Sequence, residues 1–329
     1  MRYLVTGATG FLGGAVTRQL VAAGHRVGAV VRSPQQASAL AALGVTLSQG
    51  DVTDKESMRA PMQGVDGVFH IAGWYKIGVK DTSPGEKVNV LGTRNVLELM
   101  RELAIPKGVY TSTLAINSDT HGKEVDERYH YIGPHISEYD RTKWVAHYDV
   151  AEPMIAAGVP LVIVMPGLIY GPGDTSAMHT TLTQYLRRKL PVVPSGAAYS
   201  WGYIDDIAHG HILAMEQGHA GEKYIIAGPS HTLVEALAIA RRYTGIPVPP
   251  QAPPGLLRAL AATMGVVGRV FPVPDEYSAE YLRVAAGVTY IGTAARARAE
   301  WGYAPRPLEE GLPETLRYEM RKLDMPTPD

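Results

Sequence analysis

Residues Leu4 to Gly14 read LVTGATGFLGG: a short apolar strand, a turn with glycine at every third position, and the start of a helical segment. Gly7, Gly10 and Gly13 each have a separate physical purpose in such a strand–turn–helix. The first takes a backbone angle that a side chain would forbid. The second lets a pyrophosphate approach the backbone, and the third lets the helix pack against the strand. The opening helix then aims its free N–H groups and positive end at the phosphates. Glycine triplets also occur in ordinary tight turns. Here the triplet follows a strand at Tyr3–Val5 and precedes a helical run containing Val16, Leu20 and Val21, and that context predicts a dinucleotide site.

Composition narrows the remaining classes. The chain has 329 residues, enough for a large core and two lobes. A formal net charge of −1 provides no basic field for nucleic acid or an anionic membrane. With no cysteine there is no disulfide, thiolate nucleophile or Cys-based metal site. The strand and turn occupy the place of a signal peptide, and a cytoplasmic location is expected. The apolar stretch Gly255–Phe271 is interrupted by Arg258 and Arg269 and reads as a pair of packed helices, not a membrane span. His209 and His211 flank Gly210 in a predicted helix without the spacing of metal ligands, so no metal site is expected.

Strand-like runs at Tyr3–Thr6, Val27–Val31, Val45–Ser48, Gly67–Ala72, Gly108–Ser112 and Pro160–Pro166 alternate with helical segments such as Val16–Ala23, Ser38–Leu43, Val90–Leu103 and Thr142–Ala157. This alternation predicts an α/β fold, a doubly wound parallel sheet of the Rossmann type with helices on both faces. After Pro166 the pattern breaks into loops, short helices and isolated strands. We expect a dinucleotide-binding domain over 1–166 and 201–227, and a smaller, mostly C-terminal substrate lobe over 167–200 and 228–329. The Pro-rich run Ile246–Pro254 reads as a rigid connection between helices.

A second constellation is Tyr139-Asp140-Arg141-Thr142-Lys143. On a helix, Tyr139 and Lys143 share one face. An ammonium beside a phenol favours the phenolate and lowers its pKa. A tyrosine tuned in this way exchanges a proton with a carbonyl or hydroxyl oxygen. The same spacing also describes an ordinary surface pair.

Together these segments resemble the extended short-chain dehydrogenase/reductase family, which includes nucleotide-sugar epimerases and dihydroflavonol reductases. TGATGFLG at Thr6–Gly13 is similar to the family's cofactor turn, which implies that Gly7, Thr9, Gly10, Phe11, Leu12 and Gly13 line the cofactor. Asp51 and Val52 resemble the pair that touches the adenine, and His70-Ile71-Ala72-Gly73 the strand end beneath the cofactor, with Ala72 and Gly73 in contact. Asn89 resembles the family's helix asparagine, and Tyr110-Thr111-Ser112-Thr113 the strand bearing its catalytic hydroxyl. PGLIYGPGD at Pro166–Asp174 and YIDDIAHGHILAME at Tyr203–Glu216 resemble two later signatures, the first placing Pro166, Gly167 and Ile169 at the cofactor. Glu300-Trp301-Gly302-Tyr303, followed by Pro305, resembles the C-terminal segment.

The resemblance implies roles. Tyr139 is the general acid in reduction and the base in oxidation. Lys143 lowers the pKa of Tyr139 and binds the nicotinamide ribose. Thr113, with Ser112 as the alternative, positions the substrate oxygen. Asn89 belongs to the catalytic set, in a structural more than a chemical role. The cofactor carries the hydride chemistry.

The end of the second strand reports on the cofactor. An acid there would favour NAD, but the sequence reads Val30-Val31-Arg32-Ser33. Arg32 can pair with a 2′-phosphate, which points to NADP. NAD is the alternative, with Arg32 solvated or stacked on the adenine.

Substrate class is approached through departures from the nucleotide-sugar pattern. Leu168 stands where those members usually carry Asn, and Tyr199 where they often place an Arg on the diphosphate. Arg187, Arg188 and Lys189 are candidate replacements. Leu114-Ala115 follows Thr113 where 4,6-dehydratases carry Asp-Glu. The sequence is nearer the dihydroflavonol-reductase-like and hopanoid-associated reductase/epimerase subgroups. Trp74 and Tyr75 are candidates for an aromatic wall, and one of His121, His130 and His135 for the substrate pocket. The expected activity is NADP-dependent reduction of an aldehyde or ketone on an apolar small molecule. The alternatives are a nucleotide-sugar epimerase and, from another class, an NADP-binding regulator without turnover, against which the intact Thr113, Tyr139 and Lys143 argue. The resemblance implies a homodimer through the Val90–Leu103 and Tyr139-bearing helices, where Val90, Val96, Leu97, Leu99, Met100 and Val145 either offer apolar surface to a partner or all face the sheet, two arrangements that periodicity does not separate.

Overall fold

All six expected strands form. In the computed structural model, which describes residues 1–267 and 278–328, β1 (Arg2–Thr6) runs into α1 (Phe11–Ala22). β2 (Arg26–Val31), α2 (Ser38–Ala42), β3 (Thr46–Gln49), α3 (Lys55–Met62) and β4 (Gly67–His70) follow. A long helix comes next, assembled from α4 (Ser83–Gly85), a wider π-type stretch at Glu86–Leu91, and α5 (Gly92–Glu102). β5 (Gly108–Thr111) leads to a second composite helix: α6 (Glu138–Trp144), a π-type stretch at Val145–Ala151, and α7 (Glu152–Ala156). β6 (Leu161–Pro166) is buried along its whole length.

The remainder alternates between two sheets. β7 (Leu168–Tyr170), α8 (Ala177–Leu186), β8 (Val193–Pro194) and β9 (Ala198–Tyr203) come first. α9 (Ile204–Gln217) and β10 (Lys223–Ile226) follow, then β11 (Ser230–Thr232), α10 (Leu233–Thr244), β12 (Gln251–Ala252) and α11 (Pro254–Val267). α12 (Ala279–Ala285), β13 (Thr289–Tyr290), α13 (Ala295–Trp301) and α14 (Leu308–Lys322) close the chain.

Seven strands make one parallel sheet in the order β10-β6-β5-β4-β1-β2-β3. This is a doubly wound Rossmann arrangement. The strand order reverses between β1 and β4, which opens a crevice at their carboxyl ends. A second, smaller sheet has four strands: β9 pairs with β7, β11 and β13. Its register sets Tyr199 opposite Tyr290. α9 packs on α1 and β10 on β6, so the chain returns to the main sheet between Ile204 and Ile226.

Several boundaries differ from the pattern reading, each for a local reason. α1 begins at Phe11, five residues before the apolar run, because Gly13 and Gly14 hide its first turn. α3 (KESMRAPM) was not anticipated. Only Met58 and Met62 are buried and Pro61 sits inside it, so no apolar stripe marks it, but the Asp54 side chain caps it by accepting from the Ser57 N–H. β4 stops at His70 and β3 starts at Thr46. The Tyr139 helix starts at Glu138, four residues before Thr142, behind a Ser137 cap. Ile246–Pro254 is more than a connection, since Gln251–Ala252 pairs with Val193–Pro194. Of the expected helix pair in Gly255–Phe271, α11 covers 254–267 and the rest lies outside the described residues.

One expectation is corrected. Val90, Val96, Leu97, Leu99 and Met100 do not offer a dimer surface. They are buried in the core beneath the sheet with Val68, Tyr110 and Ile163, and Val145 is half-buried against them. An amphipathic helix buries its one apolar stripe where the largest apolar surface lies, here the sheet. The outward positions of the long helix carry Lys87, Leu91, Arg94 and Arg101.

Candidate active site

The glycine turn is built by backbone contact. Gly7 has φ +74°, and a Cβ there would lie 2.7 Å from the Ala72 nitrogen. A Cβ on Gly13 would lie 2.1 Å from the Gly7 carbonyl oxygen, so only glycine lets α1 come this close to β1. At Gly10 only that same oxygen is near, at 3.2 Å. Gly10 is also the N-cap of α1, extended in conformation, with no side chain capping the helix and no acid in its first turn. The first-turn N–H groups and the positive helix end therefore face the crevice, and they fit a pyrophosphate.

From this turn a chain of hydrogen bonds runs to α6. Thr93 Oγ1 donates to the Asn89 carbonyl (2.6 Å), so it accepts from His70 Nε2 (3.0 Å). His70 Nδ1 then accepts from Thr6 Oγ1 (2.9 Å), which itself accepts from the Ala72 N–H (3.2 Å). These partners require the neutral imidazole with its proton on Nε2. Burial, with Lys143 nearby, agrees by pulling the His70 pKa down to about 3. Asn89 Oδ1 accepts from the Trp74 N–H (2.7 Å), and its Nδ2 donates to the Trp74 carbonyl (3.1 Å) and Thr142 Oγ1 (2.9 Å). Asn89 thus clamps the segment after β4 to the helix that carries Tyr139.

Tyr139 and Lys143 lie one turn apart on α6, whose first turn is ordered by Ser137 accepting from the Asp140 N–H at 3.1 Å. Thr113 follows β5; its hydroxyl accepts from the Ala115 N–H at 3.2 Å and lies close enough to the Tyr139 phenol to hold the phenol's pKa down. Ser112 points elsewhere and bonds His147 Nδ1 at 2.7 Å in the core. Lys143 is almost fully buried. Its Nζ donates to the Thr111 carbonyl (2.7 Å) and Tyr110 Oη (3.2 Å) and sits 4.7 Å from the centre of the Tyr110 ring. Burial pulls the ammonium down to about 7.

The expected lowering of the phenol pKa is not what this geometry gives. Burial pushes Tyr139 up to about 12, the Thr113 hydroxyl works against that rise, and Asp140 adds to it. Lys143 turns its Nζ toward Thr111 and Tyr110 on β5 and not toward the phenol, and burial weakens its hold on the proton.

Side chains from distant segments gather beside Tyr139. Tyr75 meets it edge-on at 4.8 Å, and Tyr199 stacks with Tyr290 at 6.2 Å and an interplanar angle of 17°. Tyr75 is 43% exposed overall, with its phenol turned inward, where loss of water and the field of Tyr139, Tyr199, Asp174 and Asp140 raise its pKa. Asp140 and Asp174 are buried, and burial raises both, Asp140 to about 7.

The remaining candidates fall where the fold places them. Arg32 is exposed at the end of β2, with no ion pair among the described residues. Asp51 Oδ1 accepts from the Thr53 N–H and hydroxyl (both 2.9 Å), and the Val52 carbonyl accepts from Asn95 Nδ2 (2.9 Å), which fixes that turn. A Cβ on Gly167 would meet the Ser200 carbonyl at 2.1 Å. Leu168 and Ile169 pack against the core from β7. Arg187, Arg188 and Lys189 are exposed beyond the C-terminal end of α8. Helical rise puts that end about 15 Å from the Asp174–Ser176 end. His121 is exposed beside Asp119, and His130 and His135 pack on Trp144, so none joins the Tyr139 cluster. His211 is a core residue bonded to Thr111 Oγ1 (2.9 Å) and the Ile207 carbonyl (2.8 Å). Among the described residues no group of three His, Asp or Glu is placed to hold a metal ion, and no helix is long and apolar enough to cross a membrane. Pattern reading missed Thr93, Tyr110, Asp140 and Tyr290. Only Thr93 had a usable signal, four residues after Asn89 on one helix.

Comparison with known proteins agrees with this architecture. Residues 3–227 match the model of the NAD dependent epimerase/dehydratase family, and the chain belongs to that family of enzymes, within the extended short-chain dehydrogenases/reductases. It is 31% identical over 82% of its length to sterol demethylase protein B of Methylococcus capsulatus, covering 83% of that protein. It is 30% identical over 94% of its length to a 2-alkyl-3-oxoalkanoate reductase of Shewanella oneidensis, covering 84% of that protein. The crystal structure of gox2253 superposes with a TM-score of 0.85 at 28% identity, over 98% of this chain and 99% of that one.

Proposed function

We propose that this chain is an NADP-dependent reductase of an aldehyde or ketone on a mainly apolar molecule. The observation that carries the reading is the Tyr139 phenol beside the Thr113 hydroxyl and edge-on to Tyr75, one turn from Lys143, with Tyr290 bonded to the adjacent Asp140 and stacked on Tyr199. Bound NADPH supplies the hydride. Tyr139, kept neutral by burial, donates its proton to the carbonyl oxygen as negative charge develops there. Thr113 holds the same oxygen in line. The Lys143 ammonium, one turn away, offsets the charge left on the phenolate. Asn89 and His70 hold these groups to the glycine turn, where Gly7, Gly10 and Gly13 receive the pyrophosphate. Arg32, exposed and unpaired, reads the 2′-phosphate.

The lobe over 167–200 and 228–329 holds the substrate in this reading. A sugar diphosphate is a poor fit. Leu168 and Tyr199 replace polar groups, Asp140 and Asp174 repel an anion, and Arg187, Arg188 and Lys189 lie at the far end of α8. The names of the two relatives, an oxoalkanoate reductase and a sterol-pathway protein, also favour an apolar substrate. A homodimer would use the outward face around Leu91 and Arg94, and light scattering at micromolar concentration tests it, a monomer removing the idea. The substrate reading is tested by thermal shift of the NADP-loaded protein with parallel NADPH oxidation. Aromatic and aliphatic aldehydes or ketones should stabilise it and consume NADPH. Stabilisation by UDP- or GDP-sugars alone would replace this reading with an epimerase.

A further inference from the structure

The first turn of α6 is gripped from the smaller lobe. Tyr290 Oη, on β13, donates to Asp140 Oδ2 at 3.0 Å, and Glu280 Oε1, on α12, accepts the Glu138 N–H at 3.0 Å. The other Asp140 oxygen accepts from Ser137 Oγ at 2.7 Å. Asp140 is only 1% exposed, and no cation pairs with it among the described residues. A carboxylate buried on hydroxyl donors alone is costly to keep, and removing either donor strands it. The Tyr290 ring is simultaneously stacked on Tyr199. A single side chain therefore joins the aromatic cluster to the residue that follows Tyr139.

We propose that Asp140 and Tyr290 form a positioning pair: their hydrogen bond ties the smaller lobe to the first turn of α6, and so sets both where Tyr139 stands and the field at its phenol. The inference rests on the reading of Tyr139 as the proton donor. Neither residue touches the reacting atoms. Asp140 acts through the backbone it shares with Tyr139 and through its charge, and Tyr290 acts by holding and partly neutralising that charge. The other ionisable groups beside these two are Tyr75, edge-on to the Tyr139 ring, and Glu280, which acts on the Asp140 carboxylate. A substrate that presses on the Tyr199–Tyr290 stack would be felt at Tyr139 by this route.

The test follows the Tyr139 phenol itself and needs no carbonyl substrate. Full-length protein carrying tyrosine labelled with carbon-13 at Cζ is titrated by NMR, with and without NADP. Tyr139→Phe identifies the resonance, and near-ultraviolet circular dichroism confirms the fold at each pH. Asp140→Asn removes the neighbouring charge and should lower the phenol midpoint by about half a pH unit or more. Tyr290→Phe leaves the carboxylate without its donor and should move the midpoint upward. Opposite shifts support the pair. Shifts in the same direction mean general loosening, and movement in Asp140→Asn alone means that the lobe contact is idle; either result overturns the proposal, as does no shift in both. Should Asp140→Asn fail to fold, Tyr290→Phe, which removes a single oxygen, decides alone by its upward shift or its absence. A negative carbonyl panel would remove the reductase reading and leave this result standing.

Discussion

The glycine turn and the tyrosine cluster meet at the same crevice and are built in opposite ways. The turn comes from the consecutive residues Leu4–Gly14 set against Ala72, and its geometry is a matter of backbone: Gly7 against Ala72, and Gly13 against Gly7. The cluster draws Tyr75, Tyr139, Tyr199 and Tyr290 from four separate parts of the chain and is made only of side chains. The first leaves so little room that almost any substitution is excluded. In the second each ring is carried by a different element, so its parts are set independently of one another. A shared cofactor and variable substrates call for this division: one rigid cradle, and one wall whose parts change independently.

The largest effect expected from the cluster side is chemical. Tyr139→Phe should cut turnover by about a hundredfold or more while leaving NADPH affinity nearly intact, since one proton donor is lost and no cofactor contact at the turn. Steady-state rates with the best carbonyl from the panel, alongside NADPH titration, check this. Retention of most activity would show that the cluster only packs.

On the turn side, Gly13→Ala drives a methyl group into the Gly7 carbonyl, 2.1 Å from the ideal Cβ. Overpacking against backbone should cost about 1–3 kcal/mol of stability and weaken both cofactor forms together. Denaturant melts and calorimetry measure the two losses. A tolerated Gly13→Ala would mean that the turn is less rigid than its contacts imply.

Arg32→Asp sharpens the comparison by separating affinity from selectivity. NADPH binding should weaken about tenfold relative to NADH, which corresponds to about 1.4 kcal/mol. Equal losses for the two cofactors would remove Arg32 from phosphate reading.

The smallest expected effect is on stability. The Lys143 ammonium falls from 10.5 to about 7 on folding. Between those values the unfolded chain binds the extra proton, so the burden on stability is full below pH 7 and fades as pH rises toward 10.5. Lys143→Met should therefore raise Tm by a few degrees at pH 6, with a gain that shrinks by pH 10. A gain independent of pH would locate the effect in packing and not in charge.

Much of the fold was legible because local rules and the global fold agree. Alternating apolar runs and helical periods marked the sheet, and glycine spacing marked the cradle. What stayed hidden had no local signature. α3 carries two buried methionines and a proline and looks like a loop. The apolar face of α5 could have met either a partner or its own sheet, since periodicity reports that a stripe is buried and not what covers it. The Tyr139–Lys143 spacing suggested a lowered phenol pKa. The sign depends on how burial weighs against a cation that turns toward Tyr110, and spacing is silent on both.

By itself, the sequence determined the α/β class and the strand–turn–helix around Gly7, Gly10 and Gly13, and it pointed to Tyr139 as the candidate proton donor, because each rests on contacts within a few residues or on a periodicity that one strand or helix carries whole. Tertiary structure alone decided which hydroxyl meets Tyr139, which aromatic rings surround it, and that Asp140 is held by Tyr290. Those contacts join residues up to 150 positions apart. They exist only because the smaller sheet sets β13 beside β9 and so brings Tyr290 to the first turn of α6, and no local pattern encodes that approach.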